Sequence, residues 1–209
     1  MRITLLLGAA LAAAATLCAP PALAQSGGGS ELRPPSAFAS IGDPATRSRA
    51  LFAEVAKVFT SPRCINCHPA GDHPTQGDDR HLHQPAAERG ASGDGVPGAP
   101  CQACHMSRTV DLFPGAVAGY ESIPGHPRWE LAPLTMAWQG KSTGDICRQL
   151  KDKDRNGGRD LAMVQEHVAK DDLVAYGWAP GKGRAPAPGT QALAGELVQA
   201  WIDTGAECP

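Results

Sequence analysis

Aromatic side chains are scarce in this chain, with four Trp, four Phe and two Tyr among 209 residues. That excludes a core built mainly from packed rings. Glycine and proline are plentiful instead, at 24 and 19 residues. Much of the chain must therefore be loop, and an aliphatic core alone would be thin. Positive charge is not in excess: 19 Lys and Arg face 21 Asp and Glu, for a formal net charge of −2. No basic patch marks a nucleic-acid surface, so nucleic acid is not an expected partner. Beyond the N-terminal segment no apolar run is long enough to span a bilayer.

The N-terminal segment reads as a targeting signal. Arg2 supplies the positive start, Ile3 to Leu17 an apolar run, and Ala22-Leu23-Ala24 a small-residue cleavage site. The expectation is a signal peptide over 1–24, a mature chain from Gln25 with no transmembrane segment, and a periplasmic location. Cys18 would suit a lipid anchor, but Leu17 before it is bulky where a lipobox has a small residue. Gly, Ser and Pro dominate the next stretch. Residues 25–43 are accordingly expected to be a flexible tether, with order beginning near Asp43-Pro44.

Two five-residue stretches carry the chemistry. Cys64-Ile65-Asn66-Cys67-His68 and Cys101-Gln102-Ala103-Cys104-His105 both read C-x-x-C-H, the attachment pattern for c-type haem. Two cysteines at this spacing can each form a thioether to one haem vinyl group, and the histidine that follows is then held beneath the iron. The expectation is two covalently bound haem c groups, with Cys64, Cys67, Cys101 and Cys104 as attachment sites and His68 and His105 as proximal iron ligands. The competing reading is zinc held by four thiolates, but zinc ribbons do not require a histidine directly after each pair. In an exported chain without Cys18, six cysteines remain. Four carry haem, and Cys147 and Cys208 are left to pair in a disulfide.

The remaining pattern is helical with long interruptions. Asp43 can cap and Pro44 can open a helix that puts Leu51, Phe52, Val55, Val58 and Phe59 on one face and ends at Ser61-Pro62. Thr143 can cap a short helix carrying Ile146, Cys147 and Leu150. Asp160 can open another with Leu161, Val164 and Val168 inward. Thr190 can cap a last one, with Leu193, Leu197 and Trp201 as a stripe and Gly205 as its stop. Residues 69–100 and 106–140 read as irregular, broken by many prolines. No amphipathic helix precedes Cys101, so the chain is not a tandem duplication. The expected fold is all-α, a di-haem domain over 44–209 with cytochrome c-like helices, long irregular loops and the second haem inserted.

The ending Trp201-Ile202-Asp203-Thr204-Gly205-Ala206 resembles the terminal helix of bacterial cytochrome c domains. That resemblance implies N- and C-terminal helices that cross and clasp a haem. Gly125-His126-Pro127-Arg128-Trp129, Met136-Ala137-Trp138-Gln139-Gly140 and the tail together resemble small exported di-haem proteins labelled as an isoquinoline 1-oxidoreductase subunit. The resemblance implies a cytochrome partner for a molybdenum hydroxylase. No molybdopterin-binding module fits in this chain, so it is not the hydroxylase itself. The expected function is transfer of single electrons between a dehydrogenase, a molybdenum hydroxylase among the candidates, and a respiratory chain. The alternative is a haem-dependent oxidoreductase or peroxidase with one open iron; no acid or base in the sequence marks such a site.

The sixth iron position can hold methionine, a second histidine or nothing. Met106 directly follows His105 and reaches poorly across the same iron. Met163 falls on an expected helix, where methionine is more often a core filler than a ligand, and His73 and His81 lie in a charged loop. His126 sits in a stiff Gly-Pro turn, and His167 borders an apolar helix face. Met136 follows Pro133 in a loop, and His83 can fold back over either iron. These four remain as candidate distal ligands, with His126 and His167 ahead of Met136 and His83. Trp129, Trp138, Trp178 and Trp201 are either porphyrin-face contacts or ordinary core anchors.

Overall fold

The computed structural model describes residues 31–117 and 119–209. The expected signal peptide and the first part of the tether lie outside these residues. The described chain is mainly helical. Helix α1 spans Pro44–Phe59, α2 Pro62–Ile65, α3 Thr143–Lys151, α4 Leu161–Lys170, α5 Asp172–Ala175 and α6 Gln191–Asp203. Among the described residues, no helix is long and apolar enough to cross a membrane.

The helix starts follow from their caps. The Asp43 carboxylate accepts the Thr46 backbone N–H at 2.8 Å, and Pro44 occupies the first turn, where its missing N–H costs nothing. Asp160 caps α4 through the Met163 N–H at 2.8 Å, and Thr190 caps α6 through the Leu193 N–H at 3.1 Å. For α3 the cap is Ser142 rather than Thr143. Ser142 and Asp145 form a capping box, each side chain bonding the other's backbone N–H.

The core sits where α1, α4 and α6 meet. Leu51, Phe52, Val55 and Val58 from α1 are buried against Ala194, Leu197, Val198 and Trp201 from α6. Trp201 is fully buried, and its ring lies 5.0 Å from that of Phe52. Burial of each such side chain contributes about 1.5–3 kcal/mol. Polar bonds close the same crossing. The Ser48 hydroxyl donates to the Trp201 carbonyl at 3.1 Å and accepts the Glu207 N–H at 2.9 Å. On its other side α6 approaches α4 so closely that a Cβ at Gly195 would collide with the Ala169 side chain. The structure joins Cys147 of α3 to Cys208 beyond α6 through a disulfide.

Two expectations need correcting. The segment before α1 is not a loose tether over its described part. Leu32 and Phe38 are core residues, and Pro35–Phe38 forms a 3-10 turn. Arg33 binds the buried carboxylate of Glu54 through its backbone N–H and its guanidinium Nε, both at 3.0 Å, and Lys57 adds a contact at 2.6 Å. Burial opposes charge on Glu54, but these donors outweigh it and hold the carboxyl below its usual range. Two apolar anchors and one ion-pair cluster thus bring order to a stretch that composition marks as flexible. The fold is also not strictly all-α. Among the described residues the long loops contain three two-stranded antiparallel hairpins. β1 (Thr75–Gln76) pairs with β2 (His81–Leu82), β3 (Gly95–Val96) with β4 (Ala99–Pro100), and β5 (Val110–Asp111) with β6 (Ser122–Ile123). Gly98, with φ 87°, turns the middle hairpin in a conformation that other residues adopt with strain. Strands of two residues are too short to show a sequence alternation.

Valine at Gly195 should push α4 off α6 and lower unfolding stability by about 1–3 kcal/mol, the usual cost of overpacking; chemical denaturation checks this. Replacing Cys147 and Cys208 together with serine opens a closure of 61 residues. The expected loss is about 4 kcal/mol, read as a lower denaturation midpoint; an unchanged midpoint would count against the bond.

Candidate functional site

The first C-x-x-C-H stretch is presented by a break between helices. α1 stops at Phe59, and Ser61-Pro62 starts the single turn of α2, which carries Cys64. The turn then closes on itself, with the His68 N–H donating to the Cys64 carbonyl at 3.0 Å. This places Cys64, Cys67 and His68 together on one wall of a cavity. Helix α4 and the α5 region supply Val164, His167, Val168, Val174 and Tyr176. Its empty volume, counting the open mouth, is about 1120 Å³. The walls are mostly apolar with a few polar groups, the character of a site for a largely hydrophobic ligand.

His68 is held from behind. Its Nδ1 lies 2.7 Å from the Met136 carbonyl. A carbonyl can only accept, so Nδ1 carries the proton and Nε2 keeps its lone pair. One face of the imidazole stacks on Trp138, with centroids 3.6 Å apart and planes 7° from parallel. The loop that provides both partners is sewn to the motif: the Ala132 N–H donates to the Cys67 carbonyl at 3.1 Å and the Trp138 N–H to the His68 carbonyl at 2.9 Å. Loss of water lowers the His68 pKa to about 4, so the ring is neutral near pH 7.

The second stretch repeats this wiring without a leading helix. Cys101–Ala103 is a 3-10 turn, and the His105 N–H donates to the Cys101 carbonyl at 2.9 Å. His105 Nδ1 donates to the Pro124 carbonyl at 2.7 Å, again leaving Nε2 free. Trp129 stacks on the ring at 4.3 Å and 6°. Burial lowers the His105 pKa to about 4 as well. Gly125 makes this approach possible, because any Cβ there would collide with the carbonyls of Met106 and Arg108. The two sites also touch. Tyr176, which lines the first cavity, meets Trp129 edge-on at 5.0 Å and 76°.

The other candidate ligands separate. His167 lines the first cavity, and its Nδ1 faces the Asp171 carboxylate at 3.2 Å. His83 lies beside His105, ring centroids 5.8 Å apart, with Nδ1 donating to the Pro85 carbonyl at 2.8 Å. His126 is not brought to the first cavity, and its Nδ1 accepts the Arg128 N–H at 3.1 Å, which puts the proton of the neutral ring on Nε2. Met136 lines the cavity, but its carbonyl holds the rear of His68, so its backbone lies on the His68 side. Among the four tryptophans, Trp129 and Trp138 stack on the motif histidines. Trp178 lines the first cavity and Trp201 is core.

The donor set fits haem c better than zinc. Among the described residues, no group of three or more His, Cys, Asp or Glu converges as a metal cluster, so the two C-x-x-C pairs do not combine into a four-thiolate site. All four motif cysteines are unpaired with one another. Burial pushes the Cys64 thiol to about 12 and the Cys67 thiol to about 11. Such surroundings favour neutral sulfur, as in a thioether, over thiolate. Two buried donors on the cavity wall, Arg63 Nε and Trp138 Nε1, have no partner in the protein. An anionic haem carboxylate would satisfy either one. No family model, no curated protein and no solved structure matches the chain.

Trp138 is 5% exposed and packs on both His68 and Phe59, whereas Trp129 is only half-buried. Trp138→Ala should therefore cost about 3–5 kcal/mol, the range for deleting a buried ring, and Trp129→Ala clearly less. Equal losses in urea unfolding would show that the two stacks are not the unequal anchors described.

Proposed function

We propose that the chain is an exported di-haem c-type cytochrome that carries single electrons. The observation that supports this most is the repeated wiring of the two C-x-x-C-H histidines, each with Nδ1–H on a distant carbonyl, a parallel tryptophan on one face and Nε2 free. Metal-bound histidines are characteristically fixed in this way by their other nitrogen. When bound, the haems would supply iron that cycles between Fe(III) and Fe(II).

The protein's own residues do the rest. Cys64 and Cys67, and Cys101 and Cys104, are the attachment sulfurs. His68 and His105 each offer a lone pair at a set angle, because the carbonyl behind and the indole alongside prevent rotation. The apolar wall formed by Val164, Val168 and Val174 excludes water from the first site and so favours the less charged state of whatever lies there. Arg63 pairs with Asp78 and the Gly77 carbonyl through Nη2, and its buried Nε–H is left for an acceptor in the cavity. α1 packs across α6 and lends Val58 and Phe59 to the cavity wall, which supports a cytochrome c-like frame for the first haem, with the second inserted through the hairpin loops between Pro69 and Gly140.

The proposed location is the periplasm, resting on Arg2, the apolar run to Leu17 and Ala22-Leu23-Ala24. The proposed partners are a dehydrogenase as donor, a molybdenum hydroxylase fitting that role, and a respiratory chain as acceptor. Mass spectrometry of the exported protein should give the mature chain plus two haem groups, falling to one when Cys64 and Cys67, or Cys101 and Cys104, are changed to serine. A mass equal to the bare chain would sink the proposal.

A further inference from the structure

Resting on the di-haem reading above, we infer that each iron is held between two histidines, His68 with His167 and His105 with His83. In the first cavity His167 is the only histidine besides His68 on the walls. It comes from α4, on the helix face that also presents the buried Val164 and Val168, so it reaches the space from an element remote in sequence from the C-x-x-C-H wall. Its Nδ1 is taken by the Asp171 carboxylate, which accepts and so fixes the proton there. The Nε2 lone pair remains for a metal. Asp171 is itself held, accepting the Leu173 N–H at 2.8 Å as the cap of α5.

In the second site the rings of His105 and His83 lie 5.8 Å apart. Imidazole–metal bonds of about 2 Å allow one ion to span such a gap. His83 is anchored twice. Its backbone N–H donates to the Pro74 carbonyl at 3.0 Å beside the β1–β2 hairpin, and its Nδ1 donates to the Pro85 carbonyl. The four rings thus share one state, in which Nδ1 is bonded to an oxygen and Nε2 is free.

The other candidates lack either that state or a place beside a motif histidine. His126 accepts at Nδ1. His81 has Nδ1 on Asp79 and Nε2 beside Gln76. His73 donates Nδ1 to the Ala87 carbonyl, but it is exposed and does not line the first cavity. Met136 lines the cavity, but its backbone lies behind His68, where its carbonyl accepts Nδ1–H.

The test is paramagnetic resonance and absorption of the oxidised, exported holoprotein, with mass spectrometry on every sample. Two low-spin irons are expected. His167→Ala should turn one iron high-spin and His83→Ala the other, and added imidazole should restore the low-spin signal in both. His167→Met and His83→Met each keep an axial ligand and should raise the potential of one haem. Variants that carry two haems and stay wholly low-spin with unchanged potentials would overturn the assignment. So would a high-spin iron produced by His126→Ala or Met136→Leu. Failure of the di-haem reading itself is distinct, since the wild-type mass would then lack haem.

Discussion

A backbone carbonyl far along the chain decides which nitrogen of His68 carries the proton. The Met136 oxygen takes Nδ1–H, and everything useful about the ring follows from that bond. It sets the tautomer, aims Nε2 into the cavity, and obliges the loop around Ala132 to Gln139 to lie against the motif. The Pro124 oxygen does the same for His105. Neither bond could form if the intervening loops were free. Long, proline-broken segments that look like filler therefore have a specific task, which is to return a carbonyl and a tryptophan to each motif.

The helices provide the fixed points for those loops. α6 lies between α1 and α4, meeting one through Trp201 and Phe52 and the other through Gly195 and Ala169. With so few aromatic residues available, four of them are linked by direct ring contacts through the first site and its supporting core, Phe52, Phe59, Trp138 and Trp201, while Tyr176 on the cavity wall meets Trp129. The sparse composition is offset by where its rings are placed.

The helical frame was largely legible. Asp43-Pro44 and the spacing of Leu51, Phe52, Val55, Val58 and Phe59 reflect local chemistry, and local chemistry is written in neighbouring residues. The true cap of α3 was within reach too, since Asp145 stands three residues after Ser142, the spacing of a capping box. What escaped was non-local. A carbonyl oxygen belongs to every residue, so nothing distinguishes Pro124 or Met136 as a partner for a histidine. In the segment Gly125 to Trp129 the sequence offers His126 as the ligand, but the structure uses its neighbours: Gly125 for close approach and Trp129 for stacking on His105. Leu32 and Phe38 were masked by the Gly, Ser and Pro around them. His83 and His167 could be named as candidates, but their pairing with His105 and His68 needed the folded chain.

Tyr176 and Trp129 form a party wall. One ring faces the first cavity, the other backs the second histidine, and they meet edge to face. Each site is therefore half of the other's packing. A bulkier or smaller side chain in this partition has no single address, because space yielded on one side is taken from the other. Two chemically similar centres in so small a chain are in this sense not neighbours but tenants of one structure, and evolutionary change at either must be accommodated by both.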